Sequence, residues 1–132
     1  MKEYSTWTRY GQSKLANILH AKALADRYGS QNVLTASLHP GGVNTELTRG
    51  PVASSMLYYP FRWLAPFVAL TPEKGALSSI FAAASPEHTM EKNGQYYTAL
   101  AVEGTPSKFA MDKELRDKLW DWTEKELAKH GF

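Results

Sequence analysis

A chain of 132 residues has room for one domain with a modest core, and 43% hydrophobic with 21% charged residues is the make-up of an ordinary globular protein. A net charge of +2, with Lys and Arg scattered along the chain, gives no basic stripe and no warrant for a nucleic-acid partner. The absence of cysteine excludes a disulfide scaffold, a thiol nucleophile and a thiolate metal site; it fits a reducing compartment without requiring one.

In chain order, Met1-Lys2-Glu3-Tyr4-Ser5 lacks the apolar core of a secretory signal, and no stretch approaches the roughly 18 apolar residues of a membrane span. The expected location is cytoplasmic, with nothing to fix it more closely. A helix is predicted over Tyr10–Tyr28, since Leu15, Ile18, Leu19, Ala21, Leu24, Ala25 and Tyr28 drift around one broad face, with Gly29 as its C-cap. Val33–Leu38 is compatible with a strand and runs into the turn His39–Thr45. Residues 46–70 are irregular, with Pro51, Pro60 and Pro66 spacing out aromatic side chains. Thr71, Pro72 and Glu73 read as N-cap, first helical residue and first-turn acid of a helix reaching Ser85, stopped by Pro86. A second strand is predicted over Gln95–Val102 after the Asn93-Gly94 turn. Asp112 caps a last helix that turns Leu115, Leu119, Trp122 and Leu127 inward and ends at Lys129-His130-Gly131. Two strands joined through a helix imply a parallel α/β arrangement, because parallel neighbours need a crossover.

Within this frame Tyr10-Gly11-Gln12-Ser13-Lys14 carries the chemistry. Residues four apart on a helix lie one above the other, so a phenol and an ammonium share one face. A nearby cation favours the phenolate, which suits general acid–base work. The spacing alone is common, and its context gives it weight: a helix, a short strand, then a Gly-rich turn at the strand's carboxyl end, where open α/β sheets bind ligands. Ser13 reads as a small residue packed on the helix, and His39 as a strand-end residue that serves structure. His20, His88 and His130 stand at spacings that fit no metal site, so no metal is expected.

Taken together, Tyr10-x-x-x-Lys14, Ser13-Lys14-Leu15-Ala16-Asn17 and His39-Pro40-Gly41-x-Val43-x-Thr45-Glu46-Leu47 resemble the C-terminal half of a short-chain dehydrogenase/reductase. The wording is similar to the branch of retinol dehydrogenases and WW-domain oxidoreductases. Pro66-Phe67-Val68, Glu73-x-Gly75-Ala76, Gly94-x-Tyr96 and Leu119-Trp120 extend the likeness over nearly the whole chain. The resemblance implies one partial domain over residues 1–132, whose two strands are the last of a doubly wound, Rossmann-type sheet. It implies hydride exchange between NAD or NADP and a carbonyl or alcohol, with Tyr10 as acid/base. Lys14 would lower the phenol's pKa and hydrogen-bond the nicotinamide ribose. Pro40, Gly41, Val43 and Thr45 would hold the nicotinamide end of the cofactor.

Residues 46–70 would form the variable substrate lid, where Tyr58, Tyr59, Phe61 and Trp63 would favour a bulky apolar molecule. Plain packing on the sheet stands level with the lid, and the same aromatics beside Arg62 could dip into a membrane surface, a contact nothing else in the sequence supports. The family's Gly-rich phosphate loop has no counterpart in this sequence, and its catalytic Ser and Asn would fall before Met1. The resemblance thus implies a chain inactive on its own, with a small-molecule carbonyl or alcohol as partner once completed. A non-catalytic remnant or interaction module, using helix faces that in the family pack across a dimer interface between two copies, stands as the alternative.

Overall fold

The first helix, α1 (Thr6–Tyr28), starts earlier than the apolar pattern predicts, because Ser5 caps it. The Ser5 Oγ accepts from the Thr8 backbone N–H at 3.2 Å and lies 2.9 Å from the Thr8 hydroxyl, so Thr6–Arg9 join a helix their own propensities do not demand. The structure, a computed structural model, describes residues 4–43 and 69–132. At its other end Gly29 keeps helical angles (φ −57, ψ −38) and opens one 3-10 turn, Gly29–Gln31. Gly29 is the C-cap as predicted, its N–H donating to Ala25 O, and the left-handed turn that takes the chain away follows at Asn32, with φ 62. Gly29 also serves close approach, since a Cβ there would sit 3.1 Å from the Asn93 amide nitrogen.

Strands β1 (Ala36–Leu38) and β2 (Gln95–Tyr97) are hydrogen-bonded neighbours. The Gly94 N–H donates to Thr35 O at 2.9 Å and the His39 N–H to Tyr97 O at 2.8 Å, so the two chains advance together in parallel. Both strands are shorter than predicted. Before β1, the Asn93 side chain stands where a neighbouring strand's backbone would be. It accepts from the Thr35 N–H at 2.8 Å and donates to Val33 O at 2.8 Å, which satisfies the backbone without a ladder. After β2, Leu100 (φ 60) and Ala101 (φ 61) both adopt left-handed angles and fold the chain back, so that Thr98 N–H donates to Val102 O at 2.8 Å. Consecutive left-handed residues cannot continue a strand.

The described residues fall into two compact units, one within Met1–Ser37, Pro86–Tyr96 and Glu103–Phe132, the other within Leu38–Ser85 and Tyr97–Val102. In the first, α1 packs on the last helix of the chain. Leu19, Ala21 and Ala23 are buried on α1, as is Ala110 just before the partner helix. That last helix spans Lys113–Lys129 and is capped as expected, the Asp112 carboxylate accepting from the Leu115 N–H at 3.0 Å.

Its inward seam differs from the predicted one. Leu115 and Leu119 are half-buried, but Trp122 is 60% and Leu127 45% exposed. Arg116, Trp120 and Thr123, spaced i, i+4 and i+7, take the seam instead. Trp120 stacks on His20 (5.3 Å, 14°) and lies under the Arg27 guanidinium at 4.6 Å, while Arg116 reaches Asp26 at 2.6 Å. With Trp120 on that seam, the helical period turns Trp122 away from it. The ion pairs are part-exposed and contribute ~0.2–1 kcal/mol each, so stacking and burial around Trp120 dominate the seam.

In the second unit the helix α2 (Pro72–Ala84) has the predicted boundaries. Thr71 Oγ1 accepts from the Lys74 N–H at 3.4 Å, Pro72 occupies the first turn, and Ser85 is extended ahead of Pro86. With α1, β1, α2 and β2 thus named, the last helix is α3. The face of α2 that packs is lined by small residues, Gly75 and Ser78, and Phe81 meets the buried Tyr97 edge-on at 5.2 Å.

Candidate active site

Tyr10 and Lys14 stand on the first turns of α1, both exposed, with the Tyr10 side 57% accessible. Helical spacing puts them on one face, and the Lys14 Nζ lies 5.4 Å from the centroid of the Tyr10 ring. Among the described residues the pair is held by the helix backbone, and both side chains are exposed. Ser13 is exposed rather than packed; its hydroxyl donates to Tyr10 O at 2.8 Å, a local back-bond within the helix.

The turn after β1 belongs to the second unit. Gly41 has φ +83, a left-handed angle at which a side chain is strained, and a Cβ there would press on Ala99 Cβ at 3.3 Å. The Gly41 N–H donates to His39 Nδ1 at 3.1 Å, so His39 organises the turn, as its position suggested. Gly42 O accepts from the Leu70 N–H at 2.8 Å, and Val43 pairs with Leu70 in a parallel bridge. Gly42 is different from its neighbour: it is exposed, and no described residue stands within 4 Å of where its Cβ would be.

That geometry leaves exposed backbone that a flat ligand could approach. A flat ring can approach the backbone at Gly42, where no side chain of the described residues intervenes, while Gly41 supplies the turn. Gly42 stands at the unspecified position of the motif Pro40-Gly41-x-Val43-x-Thr45. The doublet Gly41-Gly42 was the available signal, since a turn needs one glycine for its angle and an approaching ligand needs another for room. Thr45 and the aromatic residues Tyr58, Tyr59, Phe61 and Trp63 lie outside the described residues, as does the stretch 46–68 of the predicted lid.

A groove of about 630 Å³ opens in the first unit, lined among others by Asn17, His20, Leu24, Leu34 and Trp122, and neither Tyr10 nor Lys14 lines it. Among the described residues no group of three or more His, Asp or Glu is placed to hold a metal ion. No described helix is long and apolar enough to cross a membrane.

Parallel strands joined through helices, with a glycine turn at the carboxyl end of β1, define an α/β protein of the doubly wound class. No protein-family model matches this chain. It is similar to the short-chain dehydrogenase/reductase drtF of Aspergillus calidoustus, 37% identical over 136 residues that cover 98% of this chain and 43% of the relative. An uncharacterized oxidoreductase of Schizosaccharomyces pombe is 40% identical over 91% of this chain and 35% of its own length. Retinol dehydrogenase 14 of Homo sapiens is 39% identical over 87% of this chain and 34% of its own. The chain belongs to the short-chain dehydrogenase/reductase family, matching the C-terminal part of its relatives. It spans less than half the length of these relatives.

Proposed function

We propose that this chain carries the catalytic helix and the nicotinamide loop of an NAD(P)-dependent short-chain dehydrogenase/reductase, as one partial domain of that enzyme. The observation that carries the proposal is the exposed Tyr10–Lys14 pair on one face of α1, in a chain similar to oxidoreductases over nearly all its length. A bound nicotinamide supplies or accepts the hydride. Tyr10 donates its phenolic proton to the substrate oxygen in reduction and takes it back in oxidation. Lys14 puts a compact positive charge beside the phenol and holds the ribose. Pro40, Gly41, Val43 and Thr45 form the nicotinamide loop, and Gly42 gives the ring its access. The aromatic run through Tyr58, Tyr59, Phe61 and Trp63 supports a bulky apolar carbonyl or alcohol as substrate.

Nothing in this sequence supplies a Gly-rich phosphate loop, so the chain by itself binds NAD(P) weakly and turns over no substrate. The test is a fusion. Joining the chain to the part of a relative that precedes the matched region restores NAD(P)H consumption with a panel of apolar carbonyls. Tyr10→Phe in that fusion abolishes turnover and leaves cofactor titration nearly unchanged. Near-normal turnover by the Phe variant would remove Tyr10 from the mechanism. Consumption by the 132-residue chain alone would overturn its dependence on a second half.

A second reading, an interaction module without catalysis, draws on the exposed aromatics Trp7 (73%) and Tyr4 (51%) at the start of α1. A fusion that binds NAD(P)H but transfers no hydride to any carbonyl favours that reading.

A further inference from the structure

Ser78 is fully buried in the second unit, and its hydroxyl is used twice. It donates to Thr98 O at 2.9 Å and accepts from the Ala101 N–H at 3.1 Å. Those two groups hold the stretch in which Leu100 and Ala101 both have left-handed angles, a strained conformation for residues other than glycine. One hydroxyl thus ties both ends of a strained turn to α2.

The turn in question is also the floor of the glycine turn. Ala99 lies against Gly41, so close that a Cβ on Gly41 would come within 3.3 Å of the Ala99 Cβ. Three residues before Ser78 on the same buried face, Gly75 meets the other end of that segment, where its added Cβ would fall 2.6 Å from a Val43 methyl. The face of α2 formed by Gly75 and Ser78 therefore supports residues 41–43 at both ends, directly at Val43 and through Ala99 at Gly41.

We infer that Ser78 is a positioning residue for the nicotinamide loop: it fixes the left-handed Leu100–Ala101 turn, and through Ala99 it sets the place of Gly41 and the open backbone edge at Gly42. This deepens the cofactor reading given above and rests on it for the identity of the ligand. The coupling from Ser78 to Gly41 is independent of any ligand.

Backbone amide NMR of the whole chain separates the two, with reduced nicotinamide mononucleotide as the probe, a half-cofactor that needs only the nicotinamide end of a site. In the free protein Ser78→Ala shifts the amide signals of Gly41, Gly42 and Val43, whereas Ser79→Ala, one residue along on the exposed side, leaves them in place. Adding Leu100→Gly to Ser78→Ala relieves the left-handed strain and returns those signals toward their original positions, a rescue that a merely lost hydrogen bond would not allow. On titration the Gly42 and Val43 amides move, and Ser78→Ala raises the dissociation constant roughly threefold to tenfold, restored by the double variant.

Should Ser78→Ala fail to fold, Ala99→Gly removes only the contact with Gly41 and shifts the loop amides by itself. Loop signals unmoved in Ser78→Ala, or in Ala99→Gly, overturn the inference, and so does a double variant without rescue. Loop signals that move with the variants but ignore the half-cofactor leave the positioning intact and sink the nicotinamide assignment.

Discussion

Replacing Gly75 by alanine tests the close approach between α2 and Val43. A Cβ at Gly75 would stand 2.6 and 2.9 Å from the two Val43 methyls and 3.4 Å from its Cβ, and Gly75 is buried. Two of these distances are below any ordinary contact, so Val43 or the helix must shift, and inserting a carbon into such a place costs ~1–3 kcal/mol. Against that, alanine gains roughly 0.5–1 kcal/mol over glycine within a helix. The single variant is therefore destabilised by about 0–2.5 kcal/mol, the difference between those two terms.

The sign reverses when the obstacle is removed. In a Val43→Ala background neither methyl remains, and Gly75→Ala then stabilises by roughly 0.5–1 kcal/mol. The cycle of four proteins accordingly shows a coupling of ~1–3 kcal/mol, read from urea denaturation midpoints at constant slope. Equal effects of Gly75→Ala in both backgrounds would refute the contact, since propensity alone acts without regard to Val43.

Three further outcomes follow from particular atoms. Asn93→Ala removes the partner of the Thr35 N–H, the Thr35 hydroxyl (3.1 Å) and Val33 O, and costs ~1–3 kcal/mol in denaturant unfolding; Asn93→Asp keeps the acceptor but not the donor, and falls between. Glu73, in the first turn of α2, has its carboxyl held below the ordinary range by a backbone hydrogen bond and then by Thr71. A lowered folded pKa stabilises above the unfolded pKa and the gain is lost as pH falls through the folded value. Wild type and Glu73→Gln should thus differ most at neutral pH and converge in acid, when their melting temperatures are compared across pH. In the fused enzyme Lys14→Ala weakens both cofactor binding and turnover, and Lys14→Arg rescues neither well, because a planar fork replaces a compact ammonium. Full activity of the Arg variant would show that only charge is needed there.

What was legible in the sequence was whatever local chemistry decides. Thr71-Pro72-Glu73 and Asp112 mark helix starts through caps that act within one turn, and the observed helices begin at Pro72 and Lys113. The Tyr10–Lys14 spacing fixed a shared face for the same reason. Ser5 is an equally good cap, but apolar positions begin only at Leu15, so the polar opening turn Thr6–Arg9 carries no amphipathic signal. Strand ends were illegible for a different reason. Val33–Thr35 and Thr98–Val102 have strand composition, and only a distant side chain, Asn93 or Ser78, decides that the backbone bonds elsewhere. No window along the chain contains both partners.

The helix α2 packs through small and polar residues rather than through its large apolar ones. Amphipathic reading of Pro72–Ala84 would bury Leu77 and Ile80, yet these are 46% and 58% exposed while Gly75 and Ser78 are buried. A large side chain at position 75 would push Val43 outward, and an apolar one at 78 would leave Thr98 O and the Ala101 N–H without their shared hydroxyl. The helix gives up apolar burial on that face so that two stretches of backbone can lie close to it. One of those stretches ends in the glycine turn, the other in left-handed residues that only outside support would hold. Small and polar residues on the buried face therefore mark where a helix positions backbone rather than fills a core. By that criterion α2 serves the geometry of residues 41–43 more than the stability of its unit.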